Sequence, residues 1–255
     1  MRRAGDPAHW SERARSVADD AEVNCADVHQ RELEYEAIEP WLEPGWRLLE
    51  VGCGNGHSTE WLRRRVAHVD AIDCAEAMIE RARTRVGERN NRFLCDDILE
   101  PKSLDDSYDA VVCVRVLINL GGFAEQVRAI ESIGELLRPD SNLILTEGFS
   151  DGFDQLSALR REVGLSPLEP APINFYSALG ELWPELESRF ELSASFHLGA
   201  YDYLTRVLYP LLAGEHDVRH NTVISERSAE LARAFNPPDF EHLSRIRGFL
   251  LRRRG

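Results

Sequence analysis

Positive charge is what this chain has too little of: 30 Lys and Arg stand against 44 Asp and Glu, a formal charge of −14. A duplex or single strand of nucleic acid meets net repulsion from such a surface unless a local basic patch overcomes it. The candidate patches are Arg63, Arg64, Arg65 and Arg252, Arg253, Arg254, short runs of the kind that form solvated faces, so no nucleic-acid partner is expected. No apolar run reaches the roughly 18 residues of a membrane span, and no apolar core follows the two arginines of the opening MRRAGDPAHW. The expectation is therefore no membrane partner, no leader and a cytoplasmic location. The five cysteines (Cys25, Cys53, Cys74, Cys95, Cys113) are odd in number, lack a C-x-x-C pair and do not recur after Cys113, which argues against a disulfide framework. Four of them fall in or beside predicted strands, where a reduced thiol serves as a small packing residue. Repeats and low-complexity tracts are absent as well.

What is present is a globular composition, 43% hydrophobic and 29% charged over 255 residues. That length suits one large domain, or a smaller one with an insertion. Short apolar runs alternate with amphipathic segments from residue 46 onward. Strands are predicted over 46–52, 68–73, 92–95, 108–117 and 141–148, then over 189–198 and 244–253. Helices are predicted after the first strand from His57, over 75–86, and from Phe123 to Arg138 with a stop at Pro139. Such alternation implies a doubly wound α/β fold, a mostly parallel seven-stranded sheet with helices on both faces, whose ligands bind beyond the carboxyl ends of the strands. Roughly 45 residues separate the last two strands, too many for a turn. They suggest an added helical cap, with helices over 203–212 and 226–235 interrupted by Pro210, Pro237 and Pro238. The expected organisation is an amino-terminal helical cap over 1–45, with a helix over 26–42, and a main domain over 46–255 carrying cap insertions near 150–185 and 199–238.

The most informative stretch is LLEVGCGNGHS (48–58), a strand running into Gly52, Gly54 and Gly56 and then a helix. Glycines there permit positive φ and close approach of the backbone to a ligand. The dinucleotide pattern G-x-G-x-x-G would need glycine at His57, and a P-loop would need Gly-Lys-Ser/Thr, so neither fits. The pattern found is E-x-G-x-G-x-G, beginning at Glu50. It resembles the first motif of class I S-adenosylmethionine-dependent methyltransferases, a Rossmann-like family. Asp73 ends the second strand 17 residues past Gly56, where the family places the carboxylate that accepts from both ribose hydroxyls. Asp97 in FLCDDIL matches the acid facing the adenine amino group, with the backbone of Ile98 beside the ring. YDAVVCVRVLINL (108–120) matches the strand and segment that run beside the methionine portion. The resemblance covers 45–150 closely and the rest in architecture, and RVLINL followed by EGFSDG resembles a bacterial subgroup acting on small molecules.

The resemblance implies S-adenosylmethionine as cofactor, held by Glu50, Gly52, Cys53, Gly54, Asn55, Gly56, Asp73, Cys74, Met78, Asp97, Ile98 and Val114, with Arg31 and Tyr35 closing over it from the amino-terminal helix. For those two the alternative is a surface ion pair with Tyr35 packed beneath. Because a sulfonium methyl is already activated, the protein has mainly to align donor and acceptor. A base is needed only for a hydroxyl or a protonated amine. Glu147 and His197, both at predicted strand ends, are the candidates; Arg115, interrupting an apolar strand, and Asn119 are candidates for orienting an acceptor. His57 is expected to touch cofactor or solvent, and Tyr201, Tyr203 and Tyr209 are either cap contacts to an acceptor or core. His216 and His220 have the i, i+4 spacing of a metal pair but no evident third ligand, so no metal is expected. The expected activity is methyl transfer to a small-molecule acceptor, at oxygen more than nitrogen, in bacterial secondary or glycan-related metabolism, by a monomer or homodimer. The alternatives are an inert cofactor-binding sensor or structural partner, and a protein side-chain methyltransferase.

Overall fold

The computed structural model describes residues 7–18, 23–104 and 107–255. The expected lack of a leader falls partly on residues 1–6, and the amino-terminal cap includes 19–22; these lie outside the described residues. Seven strands form one sheet: β1 (Arg47–Val51), β2 (His68–Asp73), β3 (Asn91–Cys95), β4 (Tyr108–Val114), β5 (Leu137–Gly148), β6 (Phe190–His197) and β7 (Ile246–Arg253), in the order β3-β2-β1-β4-β5-β7-β6. The first five pair in parallel, while β7 runs antiparallel between β5 and β6. The order reverses direction between β1 and β4, the point at which open α/β sheets leave a crevice beyond their carboxyl ends.

The central strands are apolar on both faces because helices cover both. Leu49, Val111 and Leu143 pack on one side against Ala129, Ile130 and Ile133 of α5 (Phe123–Leu136), with Leu182 and Leu186 of α7 (Leu179–Glu187). Leu48, Val69 and Val112 pack on the other against Leu62 of α3 (His57–Leu62) and Ile79, Ala82 and Val86 of α4 (Glu76–Val86). Each such buried Leu, Ile or Val side chain stabilises the fold by about 1.5–3 kcal/mol. Helix α5 ends two residues before the expected Arg138, and Pro139 lies within β5 instead of stopping the helix. The pairing of β5 with β4 slips between Leu137 and Asn142, so Pro139 sits where no ladder hydrogen bond is asked of it.

Two amino-terminal helices, α1 (Pro7–Ser16) and α2 (Val28–Ile38), lie over the sheet's carboxyl edge. Arg81 of α4 donates to the carbonyls of Ala14 and Val17, both at 2.7 Å, which ties down the end of α1. Asp27 caps α2 by accepting from Gln30 N–H, and it also accepts from Tyr201 Oη at 2.7 Å and pairs with Arg206. Tyr201 and Arg206 belong to the segment between β6 and β7, which holds α8 (Gly199–Tyr203), a π-helical turn over 204–208, α9 (Tyr209–Ala213) and α10 (Val223–Ala234). A helix was expected over 203–212, and the π turn is how it continues past Pro210, which sits in the first turn of α9 where no hydrogen bond is lost. Between β5 and β6, α6 (Ser150–Glu162) precedes α7. Tyr201 and Tyr209 are buried and Tyr203 packs on Phe240, so these tyrosines are core here. Of the four cysteines expected to pack at strands, Cys53 and Cys113 are buried, but Cys74 and Cys95 are exposed because both lie just at or past strand ends; Cys25 is buried as well.

At the opposite edge of the sheet Asp70 of β2 is fully buried and accepts from Tyr108 Oη (2.8 Å), Arg47 (2.8 Å) and Arg92 (3.0 and 3.1 Å), with His68 at 3.1 Å. Burial works against the charge, yet the hydrogen bonds from Tyr108, Arg92, Arg47 and His68 outweigh it and hold Asp70 below the ordinary carboxylate range. A lowered folded-state value means that this contribution is complete above the ordinary aspartate range and is lost as the pH falls through the folded value. Asp70→Asn is expected to destabilise the protein by about 2–4 kcal/mol at neutral pH, the cost of leaving partly exposed cations without their buried anion. Urea unfolding at neutral and acidic pH checks this, since wild type and variant should converge in acid.

Candidate active site

At the carboxyl ends of β1, β2 and β4 the chain encloses one continuous cavity lined by residues from all three and from the amino-terminal segment. The loop after β1 shapes its floor. Gly52, Gly54 and Gly56 have φ of 72°, 52° and 77°. The N–H groups of Gly52 and Cys53 both donate to Ile72 O at 2.9 Å, so the loop is laid against the end of β2. A Cβ at Gly54 would come within 2.2 Å of the Asn24 side chain, and one at Gly52 within 2.4 Å of Val116. Only glycine leaves the space there.

Asp73, ending β2, accepts from Gly54 N–H and Ala75 N–H, both at 2.9 Å, and lines the cavity. Burial pushes its carboxyl up to about 6, against the pull of those two amides. Glu50 lies deeper, accepts from the hydroxyls of Ser58 and Thr59, and is raised to about 7 by burial despite those bonds, with Asp73 adding to the rise. Beyond β3, Asp96 accepts from Lys102 and Ser103 N–H and so serves its own loop. Asp97 accepts from Leu99 N–H at 2.9 Å and faces the cavity beside Ile98, Cys74 and Met78.

The other end of the cavity is cationic and aromatic. Arg31 and Tyr35 of α2 line it, and neither is the surface pair that their spacing also allowed. Arg31 is 6% exposed, and Tyr35 stacks on Trp61 with centroids 4.7 Å apart while its hydroxyl lies 3.4 Å from His57 Nδ1. Arg115 does not interrupt β4; it follows the strand with φ of 55°, a left-handed conformation uncommon outside glycine. From there its side chain reaches Cys25 Sγ at 2.7 Å and Glu34 at 3.4 Å. Asn119 donates to Arg115 O at 2.6 Å, and its Oδ1 is buried with no hydrogen-bond partner.

Glu50, Gly52, Gly54, Asp73, Cys74, Met78, Asp97, Ile98, Val114, Arg31, Tyr35, Arg115 and Asn119 all line this cavity, whereas Cys53, Asn55 and Gly56 support the loop from behind. Glu147 and His197 do not line it. Glu147 turns from the end of β5 to accept from the amides of Val116 (2.7 Å), Leu117 (2.7 Å) and Ile118 (3.3 Å). Burial raises it to about 8, against those three donors. It shapes the loop that bears Asn119. His197 is set apart by strand order, since β5 and β7 stand between its strand and β4. Its Nδ1 accepts from Gly199 N–H, and burial lowers its pKa. His220 pairs with Asp27. Trp10, Asn24 and Glu125 also line the cavity and were not foreseen; Asn24 and Trp10 lie in an amino-terminal stretch without a periodic pattern, and Glu125 reads as a surface residue of α5.

A family model described as a methyltransferase domain matches residues 48–140. Over those residues the chain is similar to a methyltransferase domain. Malonyl-[acyl-carrier protein] O-methyltransferase of Bacillus anthracis is 46% identical over 68 residues, 26% of this chain and 25% of that protein. The ubiquinone biosynthesis O-methyltransferase of Hahella chejuensis is 30% identical over 108 residues, 40% of this chain and 43% of that protein. The match to the malonyl relative thus spans about a quarter of that protein's length. Among solved structures, the N-methyltransferase NodS of Bradyrhizobium japonicum with S-adenosylhomocysteine has a TM-score of 0.57 at 15% identity, covering 96% of this chain and 97% of that one. Magnesium protoporphyrin IX methyltransferase of Synechocystis with S-adenosylhomocysteine has a TM-score of 0.59 at 17% identity, covering 97% and 94%. The conformation of the loop over 116–120 depends on Glu147, which accepts from three of its amides. Glu147→Ala is expected to destabilise the protein by about 2–4 kcal/mol, because buried amide donors lose their acceptor, and Glu147→Gln by less. Urea unfolding of the two variants beside wild type measures this.

Proposed function

We propose that this protein transfers a methyl group from S-adenosylmethionine to a small-molecule acceptor, at oxygen in preference to nitrogen. The observation that carries the reading is that Glu50, the Gly52–Gly54 floor, Asp73 and Asp97 all border a single cavity. The donor set suits the cofactor: Asp73 offers carboxylate oxygens at the cavity wall for ribose hydroxyls, and Asp97 with the Ile98 backbone suits an adenine edge. Gly52 and Gly54 let Val116 and Asn24 pack against the floor where a Cβ would collide with them. When bound, S-adenosylmethionine supplies a methyl group already activated by its sulfonium.

The chain's own work is then alignment and exclusion of water, which can supply roughly 7–11 kcal/mol. Tyr35, backed by Trp61, walls one side, and α1 brings Trp10 to the rim. The loop held by Glu147 presents Val116, Asn119 and Leu120. Asn119 Oδ1, buried and unpartnered, suits an acceptor that brings an O–H or N–H of its own. A cavity covered by the amino-terminal helices favours a small acceptor over a macromolecule, and the net charge of −14 disfavours nucleic acid. The O-methyltransferase names of two relatives support oxygen as the acceptor atom. Glu147 fits an orienting part, and His197 is too remote for a part in the transfer.

Isothermal titration with S-adenosylmethionine and S-adenosylhomocysteine tests the cofactor site. Micromolar binding is expected for wild type, weakened at least about tenfold in Asp73→Ala, the equivalent of roughly 1.4 kcal/mol for one lost carboxylate contact. Absence of binding, or unchanged affinity in Asp73→Ala, contradicts the reading.

A further inference from the structure

One buried ionisable group has no part in the chemistry above. Glu34 of α2 has no solvent exposure. Its Oε1 accepts from Gln30 Nε2 at 2.9 Å, while Oε2 takes no hydrogen bond and instead faces Arg115 Nε at 3.4 Å. Gln30 passes the connection on, since its Oε1 accepts from Arg245 at 3.2 Å, and Arg245 is held by Asp202 through bonds of 2.6 and 2.9 Å. The charged groups facing Glu34 are therefore Arg115 from the end of β4, Arg31 and Asp27 from its own helix and cap, and, through Gln30, Arg245 at the start of β7.

Strand order gives the cavity a direction. Asp97 and Asp73, after β3 and β2, mark one end; Arg31 and Arg115, over β1 and β4, mark the other. A ligand whose nucleoside lies at the first end carries its amino-acid portion toward the two arginines. Resting on the cofactor reading above, we propose that Glu34 is the positioning residue for Arg115, and that it takes up a proton when the carboxylate of an S-adenosyl ligand docks against Arg31 and Arg115. Before docking, the Glu34 charge steers the Arg115 guanidinium, which leaves the strand in a left-handed conformation. After docking, a second anion shares Arg115, and a neighbouring like charge disfavours the ionised form of a carboxyl that burial already pushes up. The proton passes from solvent to Oε2, the oxygen with no donor of its own, and no other bond changes.

Titration calorimetry in two buffers of different ionisation enthalpy counts the protons taken up. The ligands are S-adenosylhomocysteine and its decarboxylated analogue, which keeps the ammonium and lacks only the carboxylate, so contributions from Asp73 and Glu50 cancel in the comparison. Wild type is expected to take up more protons with S-adenosylhomocysteine than with the analogue, and Glu34→Gln to abolish the difference. The wild type alone gives a second reading: above the pH at which Glu34 ionises in the free protein, S-adenosylhomocysteine should lose more affinity with rising pH than the analogue, by up to about tenfold per pH unit. Equal proton uptake for both ligands, or a difference that persists in Glu34→Gln, overturns the proposal while leaving the cofactor site standing. Failure of wild type to bind S-adenosylhomocysteine overturns the cofactor reading itself, and this proposal with it.

Discussion

The carboxylate of Asp73 is the joint on which the site is built. By accepting from Gly54 N–H on one side and Ala75 N–H on the other, it fixes the glycine loop after β1 and the entry into α4 together. The arrangement works only because Gly52, Gly54 and Gly56 take positive φ without penalty, allowing the chain to double back against Ile72 O before α3 begins. A carboxylate committed to two amides at a cavity wall still has lone pairs to offer a ligand. The same atoms that hold the loop thus define what it faces.

Around that joint the two ends of the cavity are made differently. The β2–β3 end is short-range: Asp73, Asp97 and Ile98 all lie within a few residues of a strand end, and local hydrogen bonds set their positions. The β4 end is long-range. Arg115 reaches Glu34 and Cys25, and Arg31, Tyr35 and Asn24 come from a segment anchored through Asp27 to the insertion between β6 and β7. Movement of that insertion therefore bears on the β4 end of the cavity more than on the β2–β3 end.

This division explains what could be read from the sequence. All seven strands were legible, the central ones because a strand buried on both faces shows as a short apolar run, and the glycine loop with Asp73 and Asp97 was legible because its spacing is local. Arg115 reads in the sequence as a strand interruption, since a left-handed φ in a non-glycine residue leaves no mark in the pattern. Glu147 and His197 were read from strand ends alone. Strand order, which depends on how β7 inserts between β5 and β6, removes His197, and the three amides of 116–118 turn Glu147 away from the cavity. Pro139 was read as a helix stop because its tolerance in β5 depends on a slip in pairing that only the neighbouring strand reveals.

The central claim is that the cavity along the carboxyl ends of β3, β2, β1 and β4 is the cofactor site, and a crystal structure of the protein soaked with S-adenosylhomocysteine tests it most directly. The account predicts ligand density running along that edge, the ribose hydroxyls on Asp73, the adenine beside Asp97 and Ile98, and the carboxylate toward Arg31 and Arg115. Density elsewhere on the molecule, or a ligand lying in the reverse direction with its carboxylate at Asp97, would contradict it.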